Sequence, residues 1–332
     1  MDILDLATSK DDLAALLEAH KQKFNTIDAV ELAGYIKARV IGQDKVADDV
    51  ASQIRRRLVM KQRGKPVGVF CFAGPPGVGK TYFAKVLAEK MYGDKKALQF
   101  FDMSQYGQAH ACSTLFGQSK GYVGSDSYGK LTAALRDYPK CIVLLDEFEK
   151  ADSEVHKRFL TAWNDGFITE ASDGKKISTT DAVFILTTNA AAEKVGELAK
   201  TYADDRDMLV KTTKTCLQEA GFAPEVLSRI DHVFAFCSLE GMDVARVVAL
   251  EVIALLDQYD LKLADQGIDP TILLDAIAKS DKGVQTNVRE IARSIEQQLG
   301  DSLLEAKEAG AKTVRIISND GVIVAEAVEL NS

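Results

Sequence analysis

Short apolar runs alternate with amphipathic helical patterns over residues 38–238. The runs are VGVFCFA (67–73), LQFFDM (98–103), CIVLLD (141–146), AVFILTTN (182–189) and HVFAFCSL (232–239). They are nearly continuous in apolar residues, which is typical of parallel strands that are buried on both faces. The pattern therefore predicts an α/β domain with a parallel sheet flanked by helices.

After residue 239 the apolar positions repeat at helical spacing. One predicted helix face carries Val244, Val248, Val252 and Leu255, and another carries Val288, Ile291, Ile295 and Leu299. The chain closes with KTVRIISNDGVIVAEAV, which predicts two short strands around an Asn-Asp-Gly turn. We therefore predict a small, mainly helical domain over 239–332 with a C-terminal hairpin, and a polar-faced helical extension over 1–37.

The composition indicates an ordinary globular protein with 46% apolar and 27% charged residues. A net charge of −8 argues against nucleic acid or an anionic membrane as the main partner. Five scattered cysteines and four separated histidines predict neither a disulfide framework nor a metal cluster. The sequence shows no leader and no membrane-length apolar run, so we predict a cytoplasmic protein.

A glycine-rich loop follows the first predicted strand. The stretch GPPGVGKT (74–81) satisfies G-x-x-x-x-G-K-[ST] and precedes a helical segment that ends at Gly93. Lys80 is expected to reach the β- and γ-phosphates and Thr81 to ligate Mg²⁺, while the glycines let backbone amides face the phosphates. The residues predicted to bind ATP here are Gly74, Pro75, Pro76, Gly77, Val78, Gly79, Lys80 and Thr81. A glycine turn with a chance lysine is the alternative, which the flanking strand and helix disfavour.

Two further predicted strands end in polar side chains. CIVLLDEFEK delivers Asp146 and Glu147 to the edge of the sheet where ligands bind in parallel folds. Asp146 is predicted to hold Mg²⁺ and Glu147 to polarise the attacking water. Asn189, at the end of AVFILTTN, is a candidate to position that water, although strand-end asparagines are commonly turn formers.

The ordered set of motifs resembles the AAA+ ATPases of the Clp unfoldase family, most closely the second ATPase module of ClpA and ClpB. The shared segments are RVIGQDKVADDVASQIRR (39–56), GPPGVGKT, FDMSQY (101–106), GYVG (121–124), LLDEFEKA (144–151), TTN (187–189) and FAPEVLSRID (222–231). The resemblance covers about residues 36–328. It implies a P-loop AAA+ fold that hydrolyses ATP with Mg²⁺.

The resemblance also implies roles for single residues. Val40 and Ile41 would flank the adenine ring, and Asn189 would be the sensor-1 residue. Arg229 matches the arginine finger that a neighbouring subunit offers to the γ-phosphate, where a guanidinium stabilises transition-state charge. Without the motif, a lone arginine is ordinarily a member of a surface ion pair.

By the same resemblance, Tyr122 and Val123 of the Gly-Tyr-Val-Gly loop project into the axial pore of a six-membered ring and grip polypeptide. An aromatic ring suits this role because it offers a rigid, amphipathic contact surface. A tyrosine folded back on its own domain is the alternative.

The sequence departs from the family pattern at several positions. Gln285 stands where the small domain of the family has a sensor-2 arginine, and Arg289 lies one helical turn further on as a substitute or as an exposed charge. Ala223 replaces another family arginine. We find no protease-docking tripeptide between Asn189 and Arg229, so we predict a stand-alone module without a ClpP-type protease partner.

The leading prediction is therefore an ATP-driven protein remodeller that forms a homohexameric ring and acts on a protein substrate, with residues 1–37 as a docking segment. One alternative is a AAA+ motor or loader that acts on DNA, which the acidic charge balance opposes. Another is a slowly hydrolysing, nucleotide-dependent scaffold, which the intact Lys80, Asp146, Glu147 and Arg229 oppose.

Overall fold

A computed structural model describes residues 27–60, 64–108, 110–121, 127–281, 288–319 and 321–328. The chain divides into two compact units. The first comprises Met1–Pro75 with Gly79–Cys237, and the second comprises Pro76–Val78 with Ser238–Ser332.

The first unit contains nine described helices and seven described strands. Its helices are α1 (Ala29–Lys37), α2 (Asp44–Leu58), α3 (Lys80–Tyr92), α4 (Ala111–Phe116), α5 (Lys130–Asp137), α6 (Ser153–Asp165), α7 (Ala192–Thr201), α8 (Arg206–Glu219) and α9 (Pro224–Arg229). Its strands are β1 (Gly68–Ala73), β2 (Leu98–Asp102), β3 (Ile142–Asp146), β4 (Phe167–Thr169), β5 (Lys176–Ser178), β6 (Val183–Thr188) and β7 (His232–Ala235). Short 3₁₀ helices span Lys95–Ala97, Met103–Tyr106 and Phe148–Lys150.

Five strands form a parallel sheet in the order β2-β3-β6-β1-β7. This arrangement confirms the predicted parallel α/β fold. Every residue of β1 and of β6 is buried, because helices cover both faces of the sheet centre. Ala73 pairs with Thr188 at the carboxyl ends of β1 and β6, so the chain leaves both strands at neighbouring positions.

Aromatic side chains fill the layers between the sheet and its helices. On one face, Phe72 of β1 lies edge-on to Phe83 of α3, with ring centroids 5.1 Å apart. On the other face, Phe159 and Trp163 of α6 stack at 5.3 Å, and Phe159 also meets Phe184 of β6. Such pairs contribute about 0.5–1.5 kcal/mol each beyond the burial of their area. They hold α3 and α6 against the strands that end at the candidate site.

The second unit contains α10 (Met242–Gln258), α11 (Pro270–Asp281), α12 (Val288–Glu308), β8 (Lys262–Ile268), β9 (Thr313–Asn319) and β10 (Val322–Ala327). Strands β9 and β10 form the predicted antiparallel hairpin, and β8 adds a parallel strand beside β9. The sequence prediction missed β8 because KLADQGI has only one fully buried position. The predicted helix positions Val248, Val252, Ile295 and Leu299 are all buried in the core of this unit.

No helix in the described part of the chain is both long enough and apolar enough to cross a lipid bilayer.

Candidate nucleotide site

The glycine-rich loop connects the buried strand β1 to the first turn of α3. Gly74 has φ +146°, and a Cβ on it would lie 2.6 Å from the carbonyl oxygen of Phe236, so only glycine fits this position. Gly79 caps the N-terminus of α3 with φ +93°. The N-terminus of this 13-residue helix therefore opens onto the loop, in the arrangement that binds phosphate. The middle of the loop, Pro76–Val78, belongs to the second compact unit.

The side chain of Lys80 is buried at the start of α3 and is surrounded by acceptors. Its Nζ donates to the carbonyl oxygens of Gly74 at 2.7 Å and Pro75 at 2.6 Å, and to Oδ1 of Asn189 at 2.8 Å. Burial lowers the pKa of Lys80 to about 8, although the nearby carboxylates of Glu149 and Asp146 partly oppose this shift. The lysine is therefore held within reach of the loop backbone, with a pKa of about 8.

Asp146, at the end of β3, lies between two threonine hydroxyls. Oγ1 of Thr81 donates to its Oδ1 at 2.8 Å, and Oγ1 of Thr187 donates to the same oxygen at 2.5 Å. Thr81 and Asp146 thus present hard oxygen donors side by side. Such a pair fits Mg²⁺, which proteins hold through one or two carboxylates together with substrate phosphates. These two residues would hold the ion.

Glu147 follows Asp146 in a left-handed backbone conformation, with φ +54° and ψ +50°. Few residues other than glycine adopt this region, and such strain is concentrated at functional sites. The Glu147 backbone N–H donates to Oγ1 of Thr187 at 3.0 Å. Its carboxylate accepts from Asn189 Nδ2 at 3.3 Å and from Lys150 Nζ at 2.6 Å. The turn therefore directs Glu147 toward Asn189 instead of leaving it as a freely solvated acid.

Asn189 connects the lysine to the carboxylates. Its side-chain oxygen faces Lys80 and its side-chain nitrogen faces Glu147, as the two hydrogen bonds described above require. Its backbone N–H donates to Oε1 of Glu149 at 3.0 Å. The predicted set Lys80, Thr81, Asp146, Glu147 and Asn189 is thus in mutual contact at the carboxyl edge of the sheet.

Glu149 and Thr187 belong to this set, but sequence reasoning missed both. Oε2 of Glu149 is buried and has no hydrogen-bond partner among the described residues. Thr187 is 2% exposed and bridges Asp146 to the Glu147 backbone. The sequence offered only their positions as signals for a role in the site: Glu149 lies two residues after Glu147, and Thr187 lies two residues before Asn189. Neither is distinctive in a single sequence.

Val40 and Ile41 follow α1. Val40 is buried, and its Cγ1 would lie 3.4 Å from a Cβ on Gly79, which places Val40 beside the start of α3. Ile41 is half-buried. Nearby, the buried Gln43 side chain donates to the Cys237 carbonyl at 3.0 Å and accepts from the Cys237 N–H at 3.2 Å. This amide pairing was also missed from the sequence.

The remaining predicted site residues lie apart from this set. Arg229 is exposed at the end of α9 and donates to Oδ1 of Asn164 at 3.0 Å. Arg289 is exposed in α12 of the second unit and lines a groove of about 260 Å³ against α10. Gln285, Tyr122 and Val123 lie outside the described residues.

Comparison with known proteins agrees with this geometry. The family described as AAA domain (Cdc48 subfamily) matches residues 65–233. ClpE of Bacillus subtilis is 36% identical over 280 residues, covering 83% of this chain and 39% of ClpE. Chaperone protein ClpB 2 of Thermosynechococcus vestitus is 38% identical over 303 residues, covering 88% of this chain and 33% of that protein.

The fold and site thus define a P-loop ATPase of the AAA class. The chain belongs to the Clp group of AAA ATPases, and the predicted family and enzyme class are confirmed. It spans 33% to 41% of the length of these Clp relatives and of ClpE of Lactococcus lactis.

Proposed function

We propose that this chain hydrolyses ATP as one subunit of a ring and uses the energy to remodel protein substrates. The observation that carries the hydrolytic part is the continuous contact from Lys80 through Asn189 to Glu147, beside the Thr81–Asp146 pair. A pure scaffold has no need of a strained acid held in this position.

The roles of the residues follow from their positions. Bound Mg²⁺ would neutralise developing charge on the phosphates of ATP, held by Asp146 and Thr81. Lys80 would bind the β- and γ-phosphates, which its buried ammonium reaches from the start of α3. Glu147 would accept the proton of the attacking water, and Asn189 would orient both Glu147 and that water. Arg229 is exposed at a helix end, which suits a guanidinium that is offered to a neighbouring subunit.

The remodelling part rests on the family and on the sequence. Two relatives carry the name chaperone protein ClpB 2, and others are named ATP-binding subunits of the ATP-dependent Clp protease. We propose that the ring is a hexamer, that Tyr122 and Val123 contact an extended polypeptide, and that residues 1–37 dock a target. The absence of a protease partner and a cytoplasmic location stay predictions.

The first experiment measures ATP hydrolysis with and without an unstructured polypeptide such as casein. We expect polypeptide to raise the rate of the wild-type protein and the Tyr122→Ala variant to lose this response. Tyr138→Ala, at an exposed tyrosine that follows α5, is the matched control and is expected to respond like wild type.

Hydrolysis that is indifferent to polypeptide would contradict the remodelling proposal and favour the scaffold. Stimulation by DNA that weakens steeply with salt would instead favour the DNA motor. Addition of a ClpP-type protease tests the remaining prediction, because degradation of casein would show that such a partner is accepted.

A further inference from the structure

A buried carboxylate outside the nucleotide site joins two loop segments of the first unit. Glu170 follows β4 in the β4–β5 hairpin and is completely buried. No step of the proposed hydrolysis uses it. A buried carboxylate is costly unless hydrogen bonds compensate it, so its partners indicate why the fold retains it.

The partners of Glu170 come from both segments. Its Oε2 accepts from the Gly129 N–H at 3.1 Å and from the hydroxyl of Thr132, while its Oε1 accepts from the Ser172 N–H at 2.9 Å. Burial raises the pKa of Glu170, but these hydrogen bonds more than offset that effect, and the net pKa lies below its usual range. Glu170 is therefore held as a charged acceptor at neutral pH.

The hydrogen bonds converge where Gly117 and Gly129, the two ends of the segment 117–129, lie side by side. A Cβ on Gly129 would lie 2.3 Å from the backbone nitrogen of Gly117, so the two ends of the segment touch. A Cβ on Gly117, which has φ +86°, would collide with the Glu170 carboxylate. The neighbouring Ala171 N–H donates to the Phe116 carbonyl at 3.0 Å. The hairpin thus contacts both ends of the segment, through Glu170 at Gly129 and through Ala171 at Phe116.

A second link between the segment and the hairpin lies at the surface. The Tyr128 hydroxyl donates to Oδ2 of Asp173 at 2.6 Å, and Arg136 stacks over the Tyr128 ring at 4.6 Å. Exposed contacts of this kind contribute little stability because water competes for the same groups. Tyr128 therefore provides a comparison in which the same two segments are joined without a buried charge.

We propose that Glu170 is a positioning residue that makes the two described ends of the segment, at Gly117 and over 127–129, and the hairpin 167–178 move as one body when the protein engages polypeptide. The functional half of this inference rests on the proposed function, because the segment contains Tyr122, which lies outside the described residues. The mechanical half rests only on described contacts. Loss of the carboxylate leaves buried N–H groups on both segments without an acceptor, which is more costly than loss of an exposed hydrogen bond.

Hydrogen exchange tests the mechanical half. In Glu170→Gln, one carboxylate oxygen is replaced by an NH2 group that faces other hydrogen-bond donors. We therefore expect peptides from 127–137 and from 167–178 both to exchange about tenfold faster, which corresponds to about 1.4 kcal/mol. Peptides from α10 are expected to be unchanged. Thr132→Val, which removes one donor and nearly keeps the shape, is expected to give a smaller effect in the same two peptides. Acceleration confined to 167–178 would overturn the coupling.

The functional half is tested by the dependence of ATP hydrolysis on polypeptide concentration. We expect Glu170→Gln to keep the unstimulated rate within twofold but to need at least about fivefold more casein for half-maximal stimulation. Tyr128→Phe is expected to match wild type in both quantities. If wild type and Glu170→Gln respond to casein identically while Tyr122→Ala does not respond, the positioning role is overturned and the proposed function stands. If wild type itself does not respond, the proposed function fails, and hydrogen exchange alone decides whether Glu170 couples the segments.

Discussion

The ammonium of Lys80 donates a hydrogen bond to the side-chain oxygen of Asn189 at 2.8 Å. The two residues are 109 positions apart in the sequence. They meet because β1 and β6 are adjacent parallel strands whose last residues, Ala73 and Thr188, are paired. This bond links the phosphate loop directly to the residues that are proposed to orient water.

The titration of Lys80 predicts how nucleotide affinity depends on pH. Its pKa lies near 8 because the side chain is buried, so above pH 8 the free protein increasingly holds a neutral amine. Phosphates favour the charged ammonium, so binding above pH 8 requires uptake of a proton. We expect affinity for ATP to fall about tenfold for each pH unit above 8, and calorimetry in buffers of different ionisation enthalpy to detect the proton.

The Glu149→Gln variant sharpens this test. The Glu149 carboxylate raises the pKa of Lys80, so its neutralisation is expected to move the pH at which affinity begins to fall to a lower value. Affinity that stays constant up to pH 10 in wild type would contradict the assignment of the titration to Lys80.

Glu147→Gln is expected to lower the turnover of ATP by at least about 100-fold, because an amide does not accept a proton from water. ATP binding is expected to stay within threefold of wild type. Lys150→Gln is the matched control: it removes the same half-exposed Lys150–Glu147 ion pair but keeps the acid, and its turnover is expected to stay within about threefold. Turnover by Glu147→Gln within tenfold of wild type would exclude Glu147 as the base.

Thr187→Val tests the hydroxyl that bridges Asp146 and the Glu147 backbone. We expect turnover to fall about tenfold and the Mg²⁺ concentration for half-maximal rate to rise, since both acids lose a hydrogen bond that positions them. Thr188→Val is an equally buried control at the adjacent position, where the Thr188 hydroxyl accepts a hydrogen bond from the Ala190 N–H at 3.0 Å. Equal kinetic losses in the two variants would indicate a general loss of packing instead of a specific role for Thr187.

Arg229 is expected to act across a subunit interface. Arg229→Ala should bind ATP normally but turn it over at least about 100-fold more slowly, with little change in stability, because the exposed guanidinium makes only a surface hydrogen bond to Asn164. Mixing it with the inactive Glu147→Gln variant is expected to restore part of the activity, since some interfaces then combine an intact Arg229 with an intact Glu147. No recovery in mixed, verified oligomers would place the role of Arg229 within its own subunit.

Much of the candidate nucleotide site could be predicted from the sequence, because the residues that form it lie in short, contiguous stretches. Gly74 to Thr81 form one loop, and Asp146 and Glu147 are adjacent. Apolar runs located all five strands of the main sheet, since burial on both faces leaves continuous hydrophobic sequence. The helix that begins at Lys80 ends before Gly93, as its periodicity predicted.

Contacts between distant segments were not predictable in the same way. Thr187, Glu149 and Gln43 are ordinary polar residues whose partners become known only when strands and loops are brought together. Strand β8 was missed because only one of its seven residues is buried, so its sequence shows no alternation of apolar and polar residues.

The sequence by itself determined the class of fold, the phosphate loop and the acidic pair, because each depends on local composition and spacing. The tertiary structure alone decided that Asn189 touches both Lys80 and Glu147, and that Glu170 joins the ends of the segment 117–129 to the hairpin. Hydrogen bonds of this kind depend on positions that are tens of residues apart, and the order of strands in the sheet sets the distances between them.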